Sequence, residues 1–260
     1  MKQYALLSIL VVALLFAGCV DGPSGDADTK EILAKTLIAS KNMDSYSANT
    51  KMFLTMDVKS EEMSGEFMES EITQNSKVDS KNKRFYSKAE MVSSIMGSSV
   101  EAEIEEYAIG DYVYTKHSTS YDYLPPEWEK EQITSSDFSW NEVEEFQEVM
   151  DLMQDSTVEY LRKEDIAGQS YHVIKVTPDK KELIGMSDVD AVGGGSDLIG
   201  DMHITIWVNE DNHYTEKVEM YMSLFIEEEE GSMSGEVTLE MDINEINQPM
   251  DITLPAEVTP

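Results

Sequence analysis

The sequence contains a single cysteine, Cys19, so no disulfide can form within the chain. The domain that follows it must be stabilised by packing and hydrogen bonds alone. Cationic side chains are also scarce, with 19 lysine and arginine residues against 52 aspartate and glutamate residues and a net charge of −33. Because such a surface repels nucleic acids, the composition excludes DNA and RNA as partners. The acidic residues are spread along the whole chain, which is typical of a solvated surface.

Motifs for enzymatic chemistry are missing as well. The sequence has no Gly-x-Ser-x-Gly motif and no phosphate-binding loop. The glycine-rich segment 193–196 lacks the lysine of such a loop, and we interpret it as a flexible connection. Acidic residues are so abundant that paired carboxylates carry no information about a catalytic site. We therefore expect a protein that is not an enzyme and that uses no cofactor.

Metal-binding patterns are incomplete. A zinc site would need histidine or cysteine ligands at characteristic spacings, which the four histidines do not show: His117, His172, His203 and His213. A calcium-binding loop begins at 188–193, but Val192 and Ile199 stand where oxygen ligands are required. We expect no metal, with a weak surface calcium site as the open alternative.

One apolar stretch, residues 5–17, lies at the N-terminus behind Lys2. It is short for a ~30 Å hydrocarbon core, so it predicts a signal peptide over 1–18. Cys19 follows two small residues and resembles the lipobox of lipoproteins, in which this thiol receives a diacylglyceryl group. Residues 19–28 are charged and contain Gly and Pro, which predicts a tether. We expect an extracytoplasmic domain anchored to the outer face of the cytoplasmic membrane, the alternative being a buried thiol beside a plain membrane anchor.

The tether leads into a predicted helix. Asp28 and Glu31 have the spacing of a capping box. The apolar face of the helix is predicted to contain Ile32, Leu33, Leu37 and Ile38. Further helices are predicted at about 141–154 and 178–184, after an irregular aromatic loop at 121–140.

Most of the remaining chain alternates apolar and polar residues, which predicts β-strands. The alternating segments are 46–58, 68–78, 84–91, 100–108, 112–114, 158–163, 171–176, 202–208, 218–226, 237–243 and 252–255. Neighbouring segments are joined by short turns, as in an antiparallel meander. The pattern predicts an α+β, mainly β domain over 29–260, with a large twisted antiparallel sheet and a few helices packed on one face.

Methionines recur on the apolar side of these strands, at Met52, Met56, Met68, Met220, Met222 and Met241. One interpretation is an ordinary core filled by adaptable side chains. The other is a deformable apolar cavity for a flexible ligand. A one-layer sheet of this length has more apolar surface than two or three short helices can cover, which favours a groove or tunnel.

Four segments resemble the LolA-like/LppX-like superfamily of lipoproteins. They are Tyr107–Tyr114 (YAIGDYVY), Gly168–Ile174 (GQSYHVI), Ile243–Pro249 (INEINQP) and Ile252–Pro255 (ITLP). The resemblance spans about residues 29–258. It implies a half-barrel whose concave face holds helices and an apolar cavity, and several members of the superfamily carry lipids. The superfamily has no catalytic motif, so the resemblance implies a fold and no named site.

Together these features predict a membrane-anchored lipoprotein that binds an apolar or lipid ligand between sheet and helices. The predicted cavity walls are Met52, Leu54, Met56, Met68, Ile104, Met220, Met222, Leu224, Met241, Leu33, Leu37, Phe146 and Met150. The alternative is an accessory or sensor lipoprotein that binds a protein partner and has a closed core without a ligand. An extracellular hydrolase would need a convergent polar cluster, which the sequence does not indicate.

Overall fold

The structure, a computed structural model, describes residues 27–60, 64–120, 126–133, 156–178, 199–228 and 231–258. Cys19 and the signal and tether segments before residue 27 lie outside these ranges. So do the predicted helix at 141–154, with Phe146 and Met150, and all but the first residue of the one at 178–184. The glycine-rich loop and the incomplete calcium pattern also fall outside, apart from Ile199.

The described residues form one helix and eleven strands. The helix is α1 (Ala27–Lys41). The strands are β1 (Ser45–Ser60), β2 (Ser64–Asp79), β3 (Arg84–Ile95), β4 (Ser98–Ile109), β5 (Tyr112–Thr119), β6 (Trp128–Gln132), β7 (Thr157–Ile166), β8 (Gln169–Thr177), β9 (Ile199–Asn209), β10 (Thr215–Glu228) and β11 (Gly231–Asn244). Their order in the sheet is β6-β5-β4-β3-β2-β1-β11-β10-β9-β8-β7. The prediction of a mainly β protein with a large antiparallel sheet is confirmed, whereas the described part contains one helix instead of several.

Tight turns connect several strands. Met96 and Gly97 join β3 to β4 with φ angles of 50° and 78°, and Ala167 and Gly168 join β7 to β8 with φ angles of 53° and 87°. Two consecutive residues with positive φ are characteristic of the type I′ turn, whose twist matches that of the paired strands. The glycine in second position adopts this backbone without steric cost.

The chain divides into two compact units. Unit 1 comprises Met1–Asn42 and Asn141–Ser234, and unit 2 comprises Met43–Trp140 and Gly235–Pro260. The described part of unit 1 contains α1 and β7 to β10, while that of unit 2 contains strands only. No helix in the described part of the chain is long and apolar enough to cross a membrane.

The core of unit 1 lies on β8 and β9. Ile174 pairs with Ile206 and Val176 pairs with Ile204, and all four side chains are buried. On β10, Met220 lies opposite Ile204 and Met222 lies opposite Met202, so both methionines share the face of this core. The register predicted for β10 is therefore confirmed.

The buried face of α1 differs from the prediction. Leu33 is buried together with Thr29 and Thr36, whereas Ile38 is 62% exposed. The helix contacts β7. Thr36 can be buried because its hydroxyl donates a hydrogen bond to the Ile32 carbonyl within the helix. The helix also begins at Ala27, so Asp28 lies in its first turn instead of preceding it.

Two further predictions are wrong in unit 2. The segment 252–255 is not a strand, although Ile252 is buried and its carbonyl accepts a hydrogen bond from Arg84. Prolines at 249 and 255 supply no N–H for a ladder. Conversely, β6 lies inside the predicted irregular loop. Three of the five residues in its sequence, WEKEQ, are charged, which is typical of an exposed strand at the edge of a sheet.

Candidate ligand-binding face

Strand β1 separates two different faces of the unit 2 sheet. Met52, Leu54 and Met56 are half-buried, whereas Lys51, Phe53 and Thr55, which alternate with them, are exposed. We call these the Met52 face and the Lys51 face. The alternation follows from the period of two in a strand, which sends successive side chains to opposite faces.

Cross-strand register extends the Met52 face over β2 to β4. Met52 lies opposite Ile72, Ile72 opposite Met91, and Met91 opposite Ala102. Directly opposed residues of antiparallel strands share a face, so these four form an apolar row. Since all four are half-buried, the row is partly open to solvent. The predicted site residues Met68 and Ile104 lie on the same face by the same register.

Polar rows alternate with the apolar rows on the Met52 face. Ser70 and Ser93 lie on neighbouring strands, both buried, with their hydroxyl oxygens 2.7 Å apart in a hydrogen bond. The Gln74 amide donates a hydrogen bond to the Ser87 hydroxyl over 2.7 Å. Ser76, opposite Ser87, is buried as well. The face is therefore amphiphilic: the Ser70–Ser93 pair lies between two methionine-bearing rows, and Gln74, Ser76 and Ser87 lie on the other side of the Met52 row.

Glu106 is the carboxyl of this polar arrangement. It lies on β4, opposite Ser87 of β3 and Thr115 of β5, and is half-buried. Among the described residues, no hydrogen bond or ion pair reaches its carboxyl group. Burial raises the pKa of Glu106 to about 7, because the charged form loses hydration without gaining a partner.

Positive charge is confined to the opposite face. Every lysine and arginine that the structure describes on β1 to β6 projects to the Lys51 face: Lys51, Lys59, Lys77, Arg84, Lys88, Lys116 and Lys130. Lys88 pairs there with Glu103 over 2.9 Å and with Glu90 over 3.1 Å. The Met52 face thus offers hydroxyls, the Gln74 amide and the carboxyls of Glu106, Glu129 and Glu131, and its described residues on β1 to β6 include no lysine or arginine.

Aromatic rings cover part of the Lys51 face. The ring centroids of Tyr86 and Tyr107 are 4.9 Å apart, and those of Tyr107 and Trp128 are 5.7 Å apart. The Lys116 ammonium lies 5.5 Å from the Trp128 ring centroid. These contacts give the outer strands lateral packing without using the Met52 face.

The other predicted site residues are distributed over both units. Met220, Met222 and Leu224 are half-buried on β10 of unit 1. Leu33 of unit 1 and Met241 of unit 2 are almost completely buried, while Leu37 is half-buried. Their role in ligand binding stays a prediction, as does that of Phe146 and Met150.

The predicted site did not include the polar members of the Met52 face. Ser70, Gln74, Ser87, Ser93 and Glu106 occupy alternate strand positions between apolar residues. The sequence does indicate the face of Glu106. Glu106 lies two residues from both Ile104 and Ala108 and therefore on their face of the strand, whereas Glu105 lies on the opposite face. A prediction that uses only the apolar residues of each strand leaves such polar residues out of the site.

Two histidines of unit 1 have structural contacts. The Tyr160 hydroxyl lies 3.3 Å from His172 Nδ1, and the ring centroids of His203 and Tyr221 are 5.3 Å apart. Burial lowers the pKa of both histidines, chiefly because it disfavours their charged forms. In the described part of the chain, no group of three or more histidine, cysteine or acidic side chains is arranged to hold a metal ion.

Comparison with known proteins places these features in context. The sequence model of a family of unknown function (DUF6612) matches residues 28–260. A search of curated proteins returns no match. Among solved structures, lipoprotein LppX of Mycobacterium tuberculosis is 15% identical with a TM-score of 0.46, the alignment covering 88% of this chain and 100% of LppX. LprF of Mycobacterium bovis is 12% identical with a TM-score of 0.47, covering 90% of this chain and 99% of LprF.

A third structure is a putative outer membrane lipoprotein-sorting protein domain from Vibrio parahaemolyticus. It is 11% identical with a TM-score of 0.25, and the alignment covers 85% of this chain and 93% of that domain. These structures are of the kind that the sequence resemblance to LolA-like/LppX-like lipoproteins predicted.

Proposed function

This chain belongs to the DUF6612 family, and we propose that it is an extracytoplasmic lipoprotein that binds an amphiphilic or lipid ligand on the Met52 face. The observation that carries the proposal is the half-buried state of the apolar side chains of this face, among them Met52, Leu54 and Met56. They project from one face of a unit whose described part consists of strands. An apolar face of this kind supports ligand binding.

The energetic argument is one of area. Covering the part of a half-buried methionine, leucine or isoleucine side chain that is still exposed gains about 0.5–1 kcal/mol. Six such side chains on the Met52 face, including Ile72, Met91 and Ile104, would together contribute about 3–6 kcal/mol, and each CH2 group of a bound acyl chain that leaves water would add about 0.8 kcal/mol against the entropy of association. Methionine adapts to irregular shapes, which suits a flexible chain.

Membrane anchoring is the second part of the proposal and depends on Cys19. We expect Cys19→Ser to abolish lipidation, so that the chain is released from the membrane or keeps its signal segment. Cell fractionation and intact mass of the purified chain measure both outcomes. A variant that is cleaved and retained like the parent would contradict the lipobox interpretation.

Ligand binding is tested with the full chain in amphipol, so that no free detergent competes. The neutral fluorophore N-phenyl-1-naphthylamine is expected to gain fluorescence with the parent chain. Met52→Trp should weaken this binding because it fills the face with a larger ring. Lys51→Trp, the adjacent position on the opposite face, is the matched control and should bind as the parent does. Native mass spectrometry of the untreated chain would reveal lipid retained during purification.

The opposite result favours the accessory or sensor function. If the fluorophore does not bind and no lipid is retained, the ligand proposal is wrong. In a closed core Met52→Trp would also overpack the interior, with a loss of about 1–3 kcal/mol in the free energy of unfolding. Urea denaturation of the two tryptophan variants measures that loss.

A further inference from the structure

We propose that the polar rows of the Met52 face bind the headgroup of the ligand, and that Glu106 selects a cationic, amine-bearing headgroup over an anionic one. This inference rests on the proposed function, because it assigns the polar half of the same ligand. The geometry that carries it is the position of Glu106 between Ser87 and Thr115, on a face where the described residues of β1 to β6 include no lysine or arginine.

The rows are ordered along the strands in a way that fits an amphiphile. The row of Ser76, Ser87, Glu106 and Thr115 adjoins the buried core formed by Tyr46, Val78 and Ala108. The row that begins at Met52 and the strand positions beyond it lie further from this core. A headgroup at Glu106 would leave its acyl chain to run along the methionines.

Hydrogen-bonding capacity is available for that headgroup. Hydroxyl groups both donate and accept hydrogen bonds, so Ser87 and Thr115 can accept from an ammonium group. The Ser87 hydroxyl already accepts from the Gln74 amide and keeps further capacity. A carboxylate flanked by two hydroxyls presents acceptors in several directions, which suits the three donors of a primary ammonium.

Charge decides between headgroups. An anionic headgroup at this position would meet the carboxyl of Glu106 and find no lysine or arginine on β1 to β6 of the same face. A cation would instead pair with a carboxylate that has lost hydration, where the interaction is stronger than in water. The large negative net charge of the chain adds to this preference at long range.

Protonation of Glu106 is coupled to the choice of headgroup. The unpaired carboxyl has its pKa raised by burial to about 7, and a bound ammonium would lower that pKa by supplying the missing partner. Among the side chains that the structure describes, the other titratable groups of this face are Tyr46 on β1, His117 on β5 and the exposed Glu129 and Glu131 on β6. Amine binding should therefore weaken as Glu106 becomes protonated.

The experiment compares three probes that share a twelve-carbon chain: dodecylamine, monolaurin and laurate. The full chain is held in amphipol, and the bound probe is counted by native mass spectrometry. We expect dodecylamine to bind about tenfold more tightly than laurate, the equivalent of one weakly screened charge pair. Glu106→Gln should reduce the affinity for dodecylamine to that for monolaurin and leave monolaurin unchanged.

Glu101→Gln is the matched control, since Glu101 lies on the same strand, is exposed and projects to the opposite face. It removes the same charge and should leave all three affinities unchanged. If Glu106→Gln does not fold, the parent chain alone provides a second measurement. Its preference for dodecylamine over laurate should fall between about pH 8 and about pH 5.5, as Glu106 is protonated.

The outcomes separate the inference from the proposed function. Equal binding of dodecylamine and laurate, or the same loss in Glu101→Gln as in Glu106→Gln, would overturn the inference while ligand binding stands. Tighter binding of laurate would overturn it in the same way. Binding of none of the three probes would overturn the proposed function itself.

Discussion

Glu106 makes the stability of the chain depend on pH in an unusual direction. Its pKa is about 7 in the folded state and near the ordinary value of 4.5 when unfolded. The folded state therefore binds this proton more tightly. The stability contributed by the protonated group is fully present below about pH 4.5 and is lost as the pH rises through about 7.

Glu106→Gln should remove that loss. We expect the variant to be about 3 kcal/mol more stable than the parent at pH 8, because each unit of pKa shift corresponds to about 1.4 kcal/mol. At about pH 4, where Glu106 is neutral in both states, the two chains should be equally stable. Urea unfolding at both pH values measures the difference, and an equal effect at both would contradict the burial of an unpaired carboxyl.

At the same scale, the sequence predicted the apolar members of the Met52 face and not the polar ones. Met52, Leu54 and Met56 stand in uninterrupted alternation on β1 and indicate a face directly. On β2 and β4 the same face includes Gln74 and Glu106, whose spacing matches that of their apolar neighbours but whose polarity alone would assign them to solvent. Their burial depends on neighbouring strands, which the sequence does not specify locally.

Among the elements, β11 approaches β1 within unit 2 at a glycine. A Cβ atom at Gly235 would lie well inside van der Waals contact of the Thr55 carbonyl oxygen and 3.1 Å from Met56 Cγ. The first of these neighbours is backbone and cannot rotate away. The absence of a side chain at Gly235 thus permits the close approach of the two strands.

Gly235→Ala is expected to destabilise the chain by about 1–3 kcal/mol, the usual effect of forcing extra volume into a packed position. Thr238→Ala, at an exposed position of the same strand, is the control and should change the stability little. Thermal unfolding of both variants measures the effect. Equal melting temperatures for the parent and Gly235→Ala would show that the strands can separate at this point without cost.

The elements that the sequence predicted well are those with one apolar face. β1, β9 and β10 have an apolar residue at every second position over most of their length, although Trp207, on the other side of β9, is buried as well. β6 was missed because an edge strand with charged side chains has no apolar face to reveal it. The buried face of α1 was misassigned because Thr29 and Thr36, which are polar, occupy positions expected for apolar residues.

For the whole molecule, the dominant property is charge. With a net charge of −33, mutual repulsion of surface carboxylates opposes the compact state, and salt shortens the range of that repulsion to about 3 Å at 1 M. We expect the melting temperature to rise steadily between low and molar NaCl. Sucrose at equal osmolality is the control, since it stabilises by exclusion without screening charge.

A melting temperature that does not respond to NaCl, or that rises equally in sucrose, would contradict repulsion between carboxylates as the factor that limits stability.

For the whole molecule, the sequence predicted the mainly β class and the antiparallel arrangement of neighbouring strands. It did not predict the division into two units. One of the boundaries between the units, at Ser234 and Gly235, falls inside the uninterrupted strand β11, where no change of composition and no linker marks it.

The alternation on β4 makes the two faces of the sheet depend on the exact number of residues in the strand. Inserting one residue before Val100 would turn Glu101, Glu103 and Glu105 onto the Met52 face and send Ile104 into water. A substitution changes one side chain, whereas the insertion of one residue moves every following side chain of the strand to the opposite face. Insertions and deletions during the evolution of this family should therefore collect in the turns, and strand lengths should vary by even numbers of residues wherever they vary.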